Sequence, residues 1–373
     1  MISFYNIGTM GRLGNQLFQY AAGRGVSLRL GVELQLPKNI DERQWHGQTC
    51  LINNFNLNAQ FSDKWGYKKQ YSEVYLTKNH LLHKANDISP CFKEIKNHTD
   101  LVGHFDNHLY FHEFRNEIAS ELQIKSGEEE VAKTFLRSLK EKYGVDKEIV
   151  SIHFRRGDVS GQQPNLYHTG ASKGIFNWNS EFGHYLDEAL KYFQENKYIF
   201  LLFTGGVRNE GTDRQDMHWV KTAFPTEKNE ELLFEDQKFM RDEMGKRGLT
   251  PDNIVYAENN TTLMDFALMK NCEHNIMGLH STYSWWTCYL NSNPNRKIIS
   301  PRIFKDPKKG HYPEDFILTR WSYEEMLDLE YEELIHRNET GPVNYNGFPD
   351  NNPIHLTSLT PLSPQGYQGS RAN

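Results

Sequence analysis

The chain has 373 residues, 38% hydrophobic and 13% aromatic, with 42 basic against 48 acidic side chains and a formal net charge of −6. That length suits two domains of ordinary size and a sizeable core. The absence of a basic block argues against a nucleic-acid partner held through its phosphates, while a local basic site for a small anion stays open. No run of about 18 apolar residues occurs, and the start lacks a charged-then-apolar leader pattern. We therefore expect a soluble, cytoplasmic protein without a membrane span. Cys50, Cys91, Cys272 and Cys288 are scattered, with no C-x-x-C pair. In a chain this long they are expected to be reduced, mostly buried thiols.

In chain order, Ile2 to Ile7 reads as a strand, followed by the glycine turn "MGRLGNQ" and a helix from about Gln16 to Leu30. A strand from Val32 to Leu36, ended by Pro37, completes a β–loop–α–β unit. The stretch from Asp41 to about Leu101 mixes Asn, Lys and Tyr without usable periodicity. Tyr110 to about Tyr143 reads as helical, with Ile118, Leu122, Val131, Phe135 and Leu139 as core candidates. After Gly144 strands and helices alternate: "KEIVSIHF", "EFGHYLDEALKYFQEN", "KYIFLLF", "DNIVYAEN", "TTLMDFALMKNCE", "HNIMG", "STYSWWTCYLN" and "RKIIS". Such alternation predicts a parallel sheet covered on both faces. The expected organisation is two α/β domains facing a cleft, over residues 1–143 and 144–335. A Pro-, Asn- and Gly-rich tail over 340–373 is expected to lack a packed core.

Three segments carry anion chemistry. In "SIHFRRGDV", strand alternation puts His153 and Arg155 on one side and Phe154 and Arg156 on the other. The two arginines therefore cannot do the same job. We assign Arg155 to a ligand phosphate, which guanidinium grips bidentately, and Arg156 to structure; Asp158 follows at the strand's carboxyl end. The alternative is a surface ion pair of either arginine with Asp158. In "GLHSTYSWW", Ser281 suits an N-cap, and the first-turn amides with the hydroxyls of Ser281, Thr282 and Ser284 form an anion site. The alternative is an ordinary capped helix, and the tryptophans are expected in the core. In "GRLGNQ", Gly11 and Gly14 allow a ligand to approach the backbone ahead of a helix start, or merely make a turn. This is neither a P-loop nor G-x-G-x-x-G.

His104, His108 and His112 are spaced by four, but Phe and Leu interleave them, so no metal is assigned there. The chain also has no Asp-x-Asp. Three anion-suited elements without a metal motif fit a diphosphate leaving group, hence a nucleotide-sugar transferase.

These residues resemble the α-1,2-fucosyltransferase family, inverting enzymes that use GDP-fucose. The resemblance rests on "GRLGNQLFQYA", on "GHFDNHLYF", on His153, Arg155, Arg156 and Asp158, and on Ser281, Ser284, Trp285 and Trp286, in the same order. It spans roughly residues 5 to 325 and implies a GT-B-like fold of two Rossmann-like domains. The C-terminal one would bind GDP-fucose; the N-terminal one would take a galactose-containing glycan acceptor and lend its Gly-rich loop to the donor. By analogy Arg155 would hold the diphosphate, and Ser281, Thr282, Tyr283 and Ser284 would contact phosphates. Gly14 and Asn15 would approach the diphosphate or fucose, while His153 and Asp158 would shape the nucleotide site. GDP-fucose would be a co-substrate, with no cofactor and no metal. One departure stands out: where the family reads Phe-Ser-Asp-Asp, this chain has "FTGG" at Phe203 to Gly206, then a loop with Glu210, Asp213 and Asp216. The other readings are an O-fucosyltransferase or other GDP-sugar transferase with a different acceptor, and a non-catalytic glycan- or nucleotide-sugar-binding protein.

Overall fold

In a computed structural model, the described residues are 1–45, 48–73, 90–155, 178–194, 196–205, 209–210, 218–219, 237–258, 260–279, 281–302 and 313–320. Arg156, Asp158, Asp213, Asp216 and the tail lie outside them.

The chain builds two parallel sheets. The first has five strands in the spatial order Gln60–Ser62, Leu34–Pro37, Ile2–Ser3, Thr99–Val102, Lys69–Ser72. All neighbours are parallel, with Ile2 registered between Leu34 and Thr99. Helix Leu13–Leu30 makes the first crossover and stops at Gly31, whose left-handed conformation returns its N–H to the Leu28 and Ser27 carbonyls. The expected β–loop–α–β unit is therefore present. Its opening strand is only Ile2–Ser3, and residues 4–12 form a long loop.

The second sheet has six strands, all parallel: Ile254–Tyr256, Tyr198–Gly205, Glu148–Arg155, His274–Ile276, Ile298–Arg302 and Phe316–Arg320. Counted along the chain, the spatial order is 3-2-1-4-5-6, that of a dinucleotide-binding doubly wound sheet. Strand Glu148–Arg155 alternates as predicted. Val150, Ile152 and Phe154 enter one core with Phe182, Tyr185 and Met240, while Ile149 faces the other.

That other core is continuous between the two sheets. Phe18 lies 4.6 Å from Trp285 and 5.0 Å from Trp286 between ring centroids, and Phe111 stacks on Trp286 at 5.3 Å. Phe55 meets Phe266 edge-on at 5.6 Å. Each such pair adds about 0.5–1.5 kcal/mol beyond its buried area. The tryptophans are core, as expected, and their core is the seam between the two sheets.

Three expectations change. The unassigned stretch before Leu101 supplies three strands of the first sheet, each of three or four residues. The helix read over Tyr110–Tyr143 is divided into 3-10 turns, helix Arg115–Glu121 and helix Glu128–Tyr143. Val131 is 58% exposed, because the last helix turns Ala132, Leu136 and Leu139 inward instead. Cys50, Cys272 and Cys288 are free and buried.

Candidate active site

Parallel sheets gather ligands outside the carboxyl ends of their strands, where the strand order reverses. In the second sheet that point lies between Glu148–Arg155 and His274–Ile276. Arg155 is the last residue of the first strand, registered opposite Gly205 of the neighbouring one. His153 shares its side, and the Arg155 charge acts on it. Gly278 makes room for this histidine: a Cβ there would stand 2.8 Å from the His153 carbonyl oxygen and closer still to its Nδ1. Burial, then the Arg155 charge, pushes the His153 imidazole down to about 3, so it is neutral at pH 7. Its Nδ1 is buried without a hydrogen-bond partner.

Helix Thr282–Tyr289 begins just beyond that switch point. Ser281 is its N-cap: its Oγ accepts from the Ser284 amide at 3.2 Å. Ser284 Oγ accepts from the Gly278 amide at 3.0 Å, fastening the preceding turn. Both serines are buried and committed to holding this loop. Thr282 and Tyr283 supply the first-turn amides, which have no carbonyl partner within the helix.

The first sheet offers a matching wall. Gly14, near the start of helix Leu13–Leu30, lies against this turn; a Cβ there would stand 2.5 Å from Tyr283 N and 2.6 Å from Thr282 Oγ1. Two helix starts thus meet, and neither first turn carries an acidic residue. Their positive dipole ends are uncompensated by any carboxylate of their own, and Arg155 adds a full charge nearby in the fold. This arrangement attracts an anion. Asn15 joins the walls: its Oδ1 accepts from Thr282 Oγ1 at 2.9 Å, and its Nδ2 makes a long contact, 3.5 Å, to His104 Nδ1.

Two residues that motif reasoning passed over hold the glycine loop. Gln16, 1% exposed, donates to the Gly11 carbonyl at 3.2 Å and accepts from the Leu51 amide at 3.0 Å. Buried Gln19 donates to the Met10 and Gly103 carbonyls at 3.0 and 3.1 Å. Only their adjacency to Asn15 in "GNQLFQ" hinted at them. The histidines do not form a helical face: His108 and His112 lie in separate 3-10 turns, and His112 Nδ1 meets Tyr289 OH at 3.1 Å. Among the described residues, no three His, Cys, Asp or Glu side chains gather where they could hold a metal ion. Nor is any described helix long and apolar enough to cross a membrane.

The chain is similar to several known proteins. The chain is 23% identical over 324 residues to galactoside alpha-(1,2)-fucosyltransferase 2 of Rattus norvegicus, covering 85% of this chain and 75% of that one. It is 24% identical to alpha-1,2-colitosyltransferase of Escherichia coli, over 78% of this chain and 89% of the other. Among solved structures, NodZ alpha-1,6-fucosyltransferase soaked with GDP-fucose superposes with a TM-score of 0.41 at 12% identity, covering 83% of this chain and 96% of that one. The family model for glycosyl transferase family 11 matches residues 3–325, nearly the whole described architecture. The chain belongs to glycosyl transferase family 11.

Proposed function

We propose that this glycosyltransferase moves L-fucose from GDP-fucose to the 2-hydroxyl of a terminal β-galactoside, with inversion and without a metal ion. One observation carries the reading: two helix starts lacking acidic residues converge beside the strand end that bears Arg155. A departing diphosphate supplies the negative charge that this arrangement favours. Family membership and the names of the relatives support fucose as the transferred sugar and an α-1,2 linkage. The acceptor hydroxyl attacks the anomeric carbon in line, GDP leaves from the opposite face, and Arg155 with the Thr282 and Tyr283 amides stabilises the growing charge. Neutral His153 shapes the nucleotide pocket without adding a titrating charge. In this reading the half before about residue 144 receives the acceptor and the half after it holds the nucleotide. Asp158, assigned to the nucleotide site by resemblance, lies outside the described residues. Asp158, Asp106 and His104 are the candidate bases.

A melting panel with GDP, UDP and CMP tests the donor, since a ligand at 100 times its Kd adds about 2.7 kcal/mol. GDP should raise the melting temperature, and GDP should be released from GDP-fucose with lactose, unchanged by a chelator. A shift with UDP alone would reject a GDP-sugar donor. A second reading, transfer of another GDP-linked sugar, is favoured by the colitosyltransferase relative. It predicts the same GDP shift with poor use of GDP-fucose.

A further inference from the structure

Glu73 is a buried carboxyl that the reaction described above does not use. It is 5% exposed and directly follows strand Lys69–Ser72, its amide donating to the Val102 carbonyl at 2.8 Å. Lys69–Ser72 is the edge strand of the first sheet, one strand removed from the reversal of strand order between Ile2–Ser3 and Thr99–Val102. Both oxygens are engaged by the segment leaving the latter strand. Oε2 accepts from the His104 amide at 2.9 Å and the Phe105 amide at 2.6 Å, and Oε1 accepts from Tyr110 OH at 2.9 Å.

The backbone so gripped is strained. Phe105 is fully buried at φ 53, a left-handed conformation that a bulky residue rarely adopts. Gly103 before it has φ 153, and a Cβ there would stand 2.6 Å from Glu73 Cβ and 2.8 Å from Oε2. The turn therefore needs a partner that occupies two successive amides at once, which a carboxylate of this reach supplies. The side chains on either side of Phe105 are His104, in contact with Asn15, and Asp106, whose charge acts on Glu73. Helix Leu13–Leu30 is tied to the same turn through Gln19 and the Gly103 carbonyl.

We infer that Glu73 is a positioning residue: it holds the left-handed turn at Phe105 so that His104 stands against Asn15, which itself bonds Thr282 of the other wall. The catalytic consequence rests on the proposed glycosyl transfer; the clamp itself does not.

Glu73→Gln and Glu73→Asp separate reach from charge. Gln keeps the length, its oxygen accepting from both amides and its NH2 donating to Tyr110 OH, whereas Asp keeps the charge but falls one methylene short. Without substrate, hydrogen exchange over residues 103–106 should stay slow in wild type and Glu73→Gln and accelerate at least tenfold in Glu73→Asp. Equal protection in all three overturns the clamp. With GDP-fucose and lactose, Glu73→Asp should lose about 10²-fold in kcat or show a raised KM for lactose, as expected for an angstrom of misplacement. Its GDP-induced melting shift should be unchanged, and Glu73→Gln should remain within about threefold of wild type. Normal kcat together with a normal KM for lactose in Glu73→Asp, or loss of the GDP shift together with turnover, refutes positioning. A wild type that is inactive yet shows the exchange pattern counts against the proposed function and leaves the clamp supported. Should Glu73→Asp fail to fold, Tyr110→Phe, which removes the Oε1 donor alone, must raise exchange at 103–106 measurably; unchanged exchange overturns the clamp.

Discussion

The two walls of the cleft are built by different means. On the second sheet, Arg155 and His153 project from an eight-residue strand registered along its whole length on Tyr198–Gly205, so their placement comes from a regular ladder. On the first sheet, the opening strand has two residues, and the loop after it is held by Gln16 and Gln19, while Glu73 holds the turn after Thr99–Val102. In the proposed reaction the ladder wall would place charge beside the leaving group, and rigid strands suit that task. The loop wall places neutral amides and an asparagine, and its geometry is only as good as each buried hydrogen bond. A single deletion there leaves an unsatisfied polar group, at about 1–3 kcal/mol.

The largest effect should come from the ladder wall. Arg155→Ala should lower kcat by about 10²–10³, as for loss of one preorganised donor to transition-state charge, with a normal melting temperature. Arg156→Ala, expected from the sequence alternation to remove a structural arginine, should cost about 1–3 kcal/mol of stability with little change in kcat. Equal catalytic losses in two well-folded variants would break the division between these neighbours.

Where the walls meet, Gly14→Ala is the sharper probe. Alanine normally favours a helix over glycine by about 1 kcal/mol, so local propensity predicts stabilisation. The new methyl would collide with backbone of the other wall, 2.5 Å from Tyr283 N. Overpacking of that kind costs about 1–3 kcal/mol, and urea melts should show a loss together with weaker GDP binding. A gain in stability would mean that the helix starts do not meet as closely as described.

The smallest effect is titration, and the walls should respond with opposite sign. Asp100, which accepts from Ser3 Oγ and the Tyr5 amide, is pushed up by burial from 3.8 to about 6. Its contribution to stability is complete below pH 3.8 and lost as pH rises through 6. His153 is pushed down from 6.5 to about 3, so its contribution is complete above pH 6.5 and lost as pH falls through 3. Between pH 6 and 4 each can change stability by at most about 1.4 kcal/mol per pH unit. On acidification the stability gap between wild type and His153→Gln should narrow, and that between wild type and Asp100→Asn should widen. Slopes of the reverse sign would contradict the burial of these groups.

Much of this arrangement could be read from the chain. The β–loop–α–β opening, the eight strands and helices read after Gly144, and the shared side of His153 and Arg155 all follow from periods of 2 and 3.6 within a few residues. The strands inside 41–101 could not, because three or four residues give no alternation to detect. The start of the helix expected over Tyr110–Tyr143 gave way to 3-10 turns, with Leu109 N donating to Asn107 Oδ1 at 3.0 Å. There a local side-chain acceptor competed with the helical ladder. Gln16 and Gln19 looked like ordinary helix residues, since the carbonyls they serve are set by the path of the loop rather than by their own neighbours.

By itself, then, the sequence determined which local conformations were available: the turn at Gly31, the cap at Ser281, and the side of the strand on which Arg155 stands. Those depend on sterics and hydrogen bonds spanning four residues or fewer. Only the tertiary structure decided that Asn15 bonds Thr282, 267 positions away, that Glu73 grips a turn 31 and 32 positions ahead, and that Trp285 and Trp286 fill the seam between the sheets. Such partners are chosen by the packing of the whole core, where a residue's chemistry limits what it can touch but not which residue it meets.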